Sequence, residues 1–156
     1  MSDSASRSDV RDLYQEVLLE HYRHPRNFGA LAASTASAVG NNPLCGDRVT
    51  VFVEVADGRV RNVTFEGSGC AISTASASLM TETVKGKTLA EAEQVFQEFH
   101  ALLAGDAASV DRDQPELERL ACLEGVRAYP MRVKCATLAW HTLHSALAQG
   151  QVVSTE

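Results

Sequence analysis

The chain is sparing with cysteine, has no excess of positive charge and contains no long apolar run, and each shortage removes a class of function. Four cysteines in 156 residues, Cys45, Cys70, Cys122 and Cys135, are too few for a disulfide-stapled fold in a chain long enough to build a core. A reducing compartment fits better. None of the four forms a C-x-x-C pair, so local spacing indicates neither a zinc ribbon nor a thioredoxin-type redox centre. Any site they share must be assembled by the fold. With 14 Lys and Arg against 20 Asp and Glu, the formal charge is −6, and phosphate-backbone binding, which needs clustered cations to displace counterions, is not expected. No apolar run approaches the ~18 residues of a membrane span, and the polar "MSDSASRSD" start lacks the basic and apolar regions of a signal peptide. A cytoplasmic protein with neither nucleic acid nor membrane as partner is the expectation.

The length fits one domain, and no internal repeat or linker divides it. Residues 1–8 read as disordered, 9–149 as the domain and 150–156 as a flexible tail. From Ser8, a candidate N-cap, Val10, Leu13, Tyr14, Val17, Leu18 and His21 follow helical spacing until Pro25. A short strand is expected near residues 36 to 40. Val49, Val51, Val53 and Val55 then alternate with Thr50, Phe52 and Glu54, the period of a sheet with one face on a core. Asp57-Gly58 supplies a type I′ turn, and the return strand runs through Val60, Val63 and Phe65.

Cys70 stands where the small-residue helix "AISTASASLMTETV" begins. Thr88 and Glu91 have the spacing of a capping box ahead of a helix through Val95, Phe96, Phe99, Leu102 and Leu103. Residues 105 to 116 read as an acidic, solvated insertion, followed by a short helix around Leu117 to Cys122. Pro130 is expected to break the chain before a final helix striped by Ala136, Ala139, Trp140, Leu143 and Leu147, with Cys135 in its first turn. That order describes an α+β domain, helices stacked on one face of a small antiparallel sheet.

Within it, Cys45 occupies the loop of "NNPLCGDRVTVFVEV", while Cys70 and Cys135 are both expected where helices start. A helix N-terminus carries about half an elementary positive charge and favours thiolate over thiol. Gly46 lets the backbone bend so that Cys45 and Asp47 face one centre, giving three sulfurs and a carboxylate, a set acceptable to tetrahedral zinc. Spacing alone leaves open that these are separate buried thiols.

The segments "LLEHYRHPRNFG", "NNPLCGDRVTVFVEV", "GSGCAISTASASLMTETVKGKT" and "YPMRVKCATLAWHTL" together resemble the U-type iron–sulfur cluster assembly family of IscU and the NifU N-terminal domain, and more closely its SufU branch. The resemblance covers Tyr14 to about Leu147 and implies a three-stranded antiparallel sheet covered by helices. It implies that Cys45, Asp47, Cys70 and Cys135 are the metal ligands. IscU-type scaffolds have a histidine just before the third cysteine; here that residue is Lys134, whose ammonium cannot ligate as imidazole does. With the acidic insertion, this shifts the expectation toward a zinc-bound sulfur carrier, possessing sulfurtransferase character, that takes persulfide sulfur from a SufS-type cysteine desulfurase and hands it to a downstream scaffold. The alternative is a scaffold on which a [2Fe–2S] cluster is built from iron and sulfide.

Three thiolates and a carboxylate around Zn²⁺ sum to about −2 formally, and Arg132 and Lys134 are placed in sequence to offset that charge. Cys45, on a Gly-bearing loop that can move, is the expected sulfur acceptor. Cys122, on the apolar face of "LERLACLEGV", reads as a packing residue. The resemblance assigns no ligand to His21 or His24, and His141 and His144 find no metal partners in the sequence. Arg26 and Asn27 are expected to fix the turn after the first helix.

Overall fold

A computed structural model describes residues 14–105, 114–148 and 153–154. The expectations for residues 1–8, for most of the insertion at 105–116 and for most of the tail lie outside the described residues. Helix α1 covers residues 14–23 and ends just before Pro25. Three strands follow, β1 (Ala36–Asn42), β2 (Asp47–Ala56) and β3 (Arg59–Ser68). Next come α2 (Ala71–Val84), α3 (Leu89–Ala104), α4 (Pro115–Leu120), a 3-10 segment (Ala121–Ala128) and α5 (Pro130–Ala148). The two-residue β4 (Val153–Ser154) closes the order.

Strands β1, β2 and β3 form an antiparallel meander, the sheet expected from the sequence, in the order β3-β2-β1-β4. Strand β4 adds to the free edge of β1 in parallel, with Val153 opposite Gly40 and Ser154 opposite Asn41. The β2–β3 turn has Asp57 at φ 55° and Gly58 at φ 73°, the two positive angles of a type I′ turn, whose twist matches that of the strands it joins.

Helices α2 and α5 lie on the inner face of the sheet and against each other. Alternation along β2 buries Val49, Val51 and Val53 beneath them, where Leu79, Met80, Leu138 and Trp140 complete the core. The small residues of α2 let α5 come close: Ser73, Ala75, Ser76 and Ala77 are buried. Ser76 Oγ donates to the Ala136 carbonyl and accepts from Trp140 Nε1 at 3.1 Å, so the polar atoms inside the helix pair satisfy one another. Helix α3 covers the far side of α5, stacking Phe99 on Trp140 at 4.6 Å between ring centroids. Its start is held by the capping box between Thr88 and Glu91.

The turn after α1 is fixed from α2. Ser78 Oγ receives the Arg26 backbone N–H at 2.8 Å and lies 2.7 Å from His21 Nδ1, while Asn27 donates to Thr81 Oγ1. Asn27 adopts a left-handed backbone (φ 55°), which asparagine tolerates better than most residues.

One expectation is corrected here. Pro130 does not break the chain ahead of the last helix; it is that helix's first residue, where the missing N–H costs nothing because the first turn's amides have no intrahelical acceptor. Cys135 is therefore the sixth residue of α5, beyond its first turn, and gains little from the helix N-terminus.

Candidate metal centre

The site forms where the meander meets the helix layer. The same period of two that turns Val49, Val51 and Val53 inward also turns Asp47 inward, and it is 2% exposed at the first position of β2. Opposite it in the ladder stands Asn42, the last residue of β1 and fully buried. The connection from Pro43 to Gly46 carries exposed Cys45, whose backbone N–H donates to the Asn42 carbonyl at 3.1 Å. Gly46 takes φ +72°, a bend that a β-carbon would resist, and through it Cys45 and Asp47 approach the same point.

Cys70 stands beside Asp47, just after β3, as the N-cap of α2, its Sγ accepting the Ser73 N–H at 3.4 Å. Its own backbone N–H donates to Asp47 Oδ1 at 2.9 Å, and its sulfur lies 4.0 Å from Asp47 Oδ2. Gly69 makes this approach possible, since a β-carbon there would stand 2.7 Å from Asp47 Oδ1. From α5 comes Cys135, 3% exposed, whose Sγ receives Asn42 Nδ2–H at 3.7 Å.

One ligand atom each from Cys45, Asp47 and Cys135 lies within 4.8 Å of the others, the one such group among the described residues, and the Cys70 sulfur, near Asp47 alone by the distances given, falls outside it. Tetrahedral zinc at about 2.3 Å from sulfur sets its ligands about 3.7 Å apart, so shifts below roughly an ångström would seat these atoms on one ion. Burial, hydrogen bonds with Asp47 and Cys45, and the charges of Cys70 and Asp47 push the Cys135 thiol far above the usual range. A divalent cation reverses that penalty, and on donor chemistry the residues present fit zinc.

The other candidates lie elsewhere. Cys122 is buried, donates to the Arg119 carbonyl and has its thiol pushed up to about 12 by burial, which suits an inert packing thiol. His141 packs edge-on against Phe96, and His144 stacks on the same ring while pairing with Glu93 at 2.7 Å. Neither belongs to a metal-sized group among the described residues. Arg132 is exposed and Lys134 half-buried, and among the described residues neither forms an ion pair. Sequence reasoning missed Asn42 and Gly69. Both stand beside site residues in "NNPLC" and "GSGC", but their contacts with Cys135 and Asp47 are non-local.

Residues 13–136 match the family model described as the NifU-like N-terminal domain. The zinc-dependent sulfurtransferase SufU of Bacillus subtilis is 39% identical over 142 residues, 91% of this chain and 94% of that protein. The iron–sulfur cluster assembly scaffold protein IscU of Streptococcus pyogenes is 36% identical over 140 residues, 90% of this chain and 86% of the relative. Among solved structures, a candidate SUF-system iron–sulfur assembly scaffold from Fervidobacterium islandicum superposes with a TM-score of 0.76 at 33% identity, over 85% of this chain and 94% of that one.

Proposed function

The chain belongs to the family of NifU-like N-terminal domains, and from that premise we propose that it is an iron–sulfur cluster assembly protein working as a zinc-bound sulfur carrier. Cys45, Asp47, Cys70 and Cys135 are the proposed ligands, a cysteine desulfurase of SufS type the sulfur donor, and a downstream scaffold in the reducing cytoplasm the recipient. The observation that carries this reading is the convergence of Cys45, Asp47 and Cys135 within 4.8 Å, with the Cys70 sulfur 4.0 Å from the same carboxylate. Bound zinc supplies the positive charge that keeps the thiols ionised at neutral pH.

The chain's own residues then divide the work. Cys70 is held by the α2 cap and Cys135 by the core, whereas Cys45 is exposed on a turn. Thiol exchange needs both thiolate character and access, and only Cys45 has full access. In the transfer, the Cys45 thiolate attacks the outer sulfur of the donor's persulfide. A new S–S bond forms at Cys45, the donor's S–S bond breaks, and the donor cysteine leaves as thiolate. Asp47 stays behind, fixed by the Cys70 amide.

The names of scaffold relatives and the presence of three thiols favour a second reading, assembly of a [2Fe–2S] cluster on the same sulfurs. Lys134 counts against it, because an ammonium offers no lone pair to iron. Elemental analysis of the aerobically purified chain, with a desulfurase stimulation assay, separates the two: stoichiometric zinc with stimulation selects the carrier, iron with acid-labile sulfide the scaffold. Cys45→Ser is expected to abolish acceptance of labelled sulfur, and transfer at the parental rate would refute the acceptor assignment.

A further inference from the structure

Asn42 touches three of the four proposed ligand residues. It pairs with Asp47 across the β1–β2 ladder, its carbonyl holds the Cys45 amide at 3.1 Å, and its side-chain amide donates to Cys135 Sγ at 3.7 Å. It is also fully buried, and among the described residues its Oδ1 has no hydrogen-bond partner. Its Nδ2–H points at the Cys135 sulfur, which is the acceptor in that contact, and the side-chain carbonyl is left without a partner among the described residues.

We propose that Asn42 is a positioning residue that keeps Cys135 out of sulfur transfer: its side-chain N–H···S hydrogen bond holds that thiolate and withdraws electron density from it, leaving Cys45 as the reactive sulfur. The inference rests on the carrier reading and adds what selects among chemically identical ligands. Exposure separates Cys45 from Cys135 by access; Asn42 separates them by nucleophilicity, because a sulfur whose lone pair is shared with a donor attacks more slowly. Among the described residues no side-chain amide donates to the Cys45 sulfur, and Cys45 is the exposed thiol of the group.

The first test needs no substitution. In the full chain loaded with spin-active cadmium, through-bond coupling between the Asn42 side-chain amide proton and the metal, relayed by the Cys135 sulfur, is expected by nuclear magnetic resonance. Cadmium held by the thiols without that coupling overturns the inference alone. A chain that binds no cadmium through these cysteines overturns the carrier reading, and the inference with it.

The second test compares Asn42→Leu, which removes the donor, and Asn42→Asp, which removes it while keeping the shape, with the parent. In the cobalt-loaded chains the thiolate-to-metal charge-transfer absorption is expected to move to longer wavelength. Alkylation of Cys135 relative to Cys45, mapped by peptide mass spectrometry on the zinc-loaded chains, is expected to rise about tenfold. A purely structural role would lower metal affinity or the melting temperature without moving the absorption or the ratio, and that result overturns the proposal.

Discussion

Replacing Gly69 by alanine tests whether Asp47 is held in place for a metal. The added β-carbon would stand 2.7 Å from Asp47 Oδ1, 3.2 Å from Cγ and 3.3 Å from Cβ, where ordinary contact begins near 3.4 Å. The carboxylate must retreat by about 0.7 Å, but it is buried and tied to the Cys70 amide at 2.9 Å. Retreat stretches that bond toward 3.6 Å, past the useful range for N–H···O. A hydrogen bond to a charged acceptor contributes about 1.5–3 kcal/mol, so losing most of it costs roughly 2 kcal/mol, or about thirtyfold in zinc affinity, within the range found for partners that orient ligands. Competition against a chromophoric chelator measures this directly. The Gly69→Ala chain should fold, since the displaced group is a side chain rather than backbone. Parental zinc affinity in a folded Gly69→Ala chain would refute the role given to Asp47.

Three further perturbations follow from other parts of the molecule. Arg127 donates to the carbonyls of Ala101, Leu102 and Gly105 and so closes the C-terminal end of α3; Arg127→Ala should destabilise the chain by about 1–2 kcal/mol, read as a lower urea midpoint with unchanged slope. Burial holds the pKa of His21, and of His141, below 6.5, with neighbouring Arg26 acting in the same direction on the first and His100 and His144 on the second. The unfolded chain therefore takes up these protons first, so stability is full above about pH 6.5 and falls as the pH drops below it. Melting temperature should decline across that window, and His141→Leu should flatten the decline; a rise on acidification would contradict the burial argument. Removing metal by chelation should lower the melting temperature while leaving one cooperative transition, because the core through Val51, Leu79, Phe99, Leu138 and Trp140 does not depend on the site. Loss of that transition would mark a metal-dependent fold.

How much could be read from the sequence depends on how local the determining contacts are. The β2–β3 hairpin was legible because alternating valines and Asp57-Gly58 each act within a few residues, and both turn angles are positive as required. Thr88 and Glu91 satisfy each other's backbone amides three residues apart, so the start of α3 was equally plain. Pro130 misled because proline fits both a break and a first helical position; the choice depends on Tyr129, which is extended (φ −126°, ψ 94°) and lets α5 begin at the proline. That moved Cys135 from a helix start to a buried second turn. Strand β4 has two residues and no local signature, since its pairing is with the edge of β1, far away in sequence. Asn42 was invisible as a site residue because its inward orientation follows from β1 pairing with β2, not from its neighbours in "NNP".

The three thiols stand on three kinds of backbone, and the difference bears on carrier against scaffold. Cys135 sits inside a helix buried beneath the sheet, where movement would disturb Ala136, Leu138 and Ala139. Cys70 caps a helix and shares its position with the Asp47 hydrogen bond, so it can shift only by loosening both. Cys45 is tied by one amide to Asn42 and flanked by Gly46, and neither holds the side chain. A scaffold gains from holding all its sulfurs equally, because a cluster strains when one ligand wanders. A carrier gains from one sulfur that leaves and returns while the rest stay fixed. The graded restraint supports the second design, and it assigns the mobile part to the residue whose exposure already suits it to meet another protein.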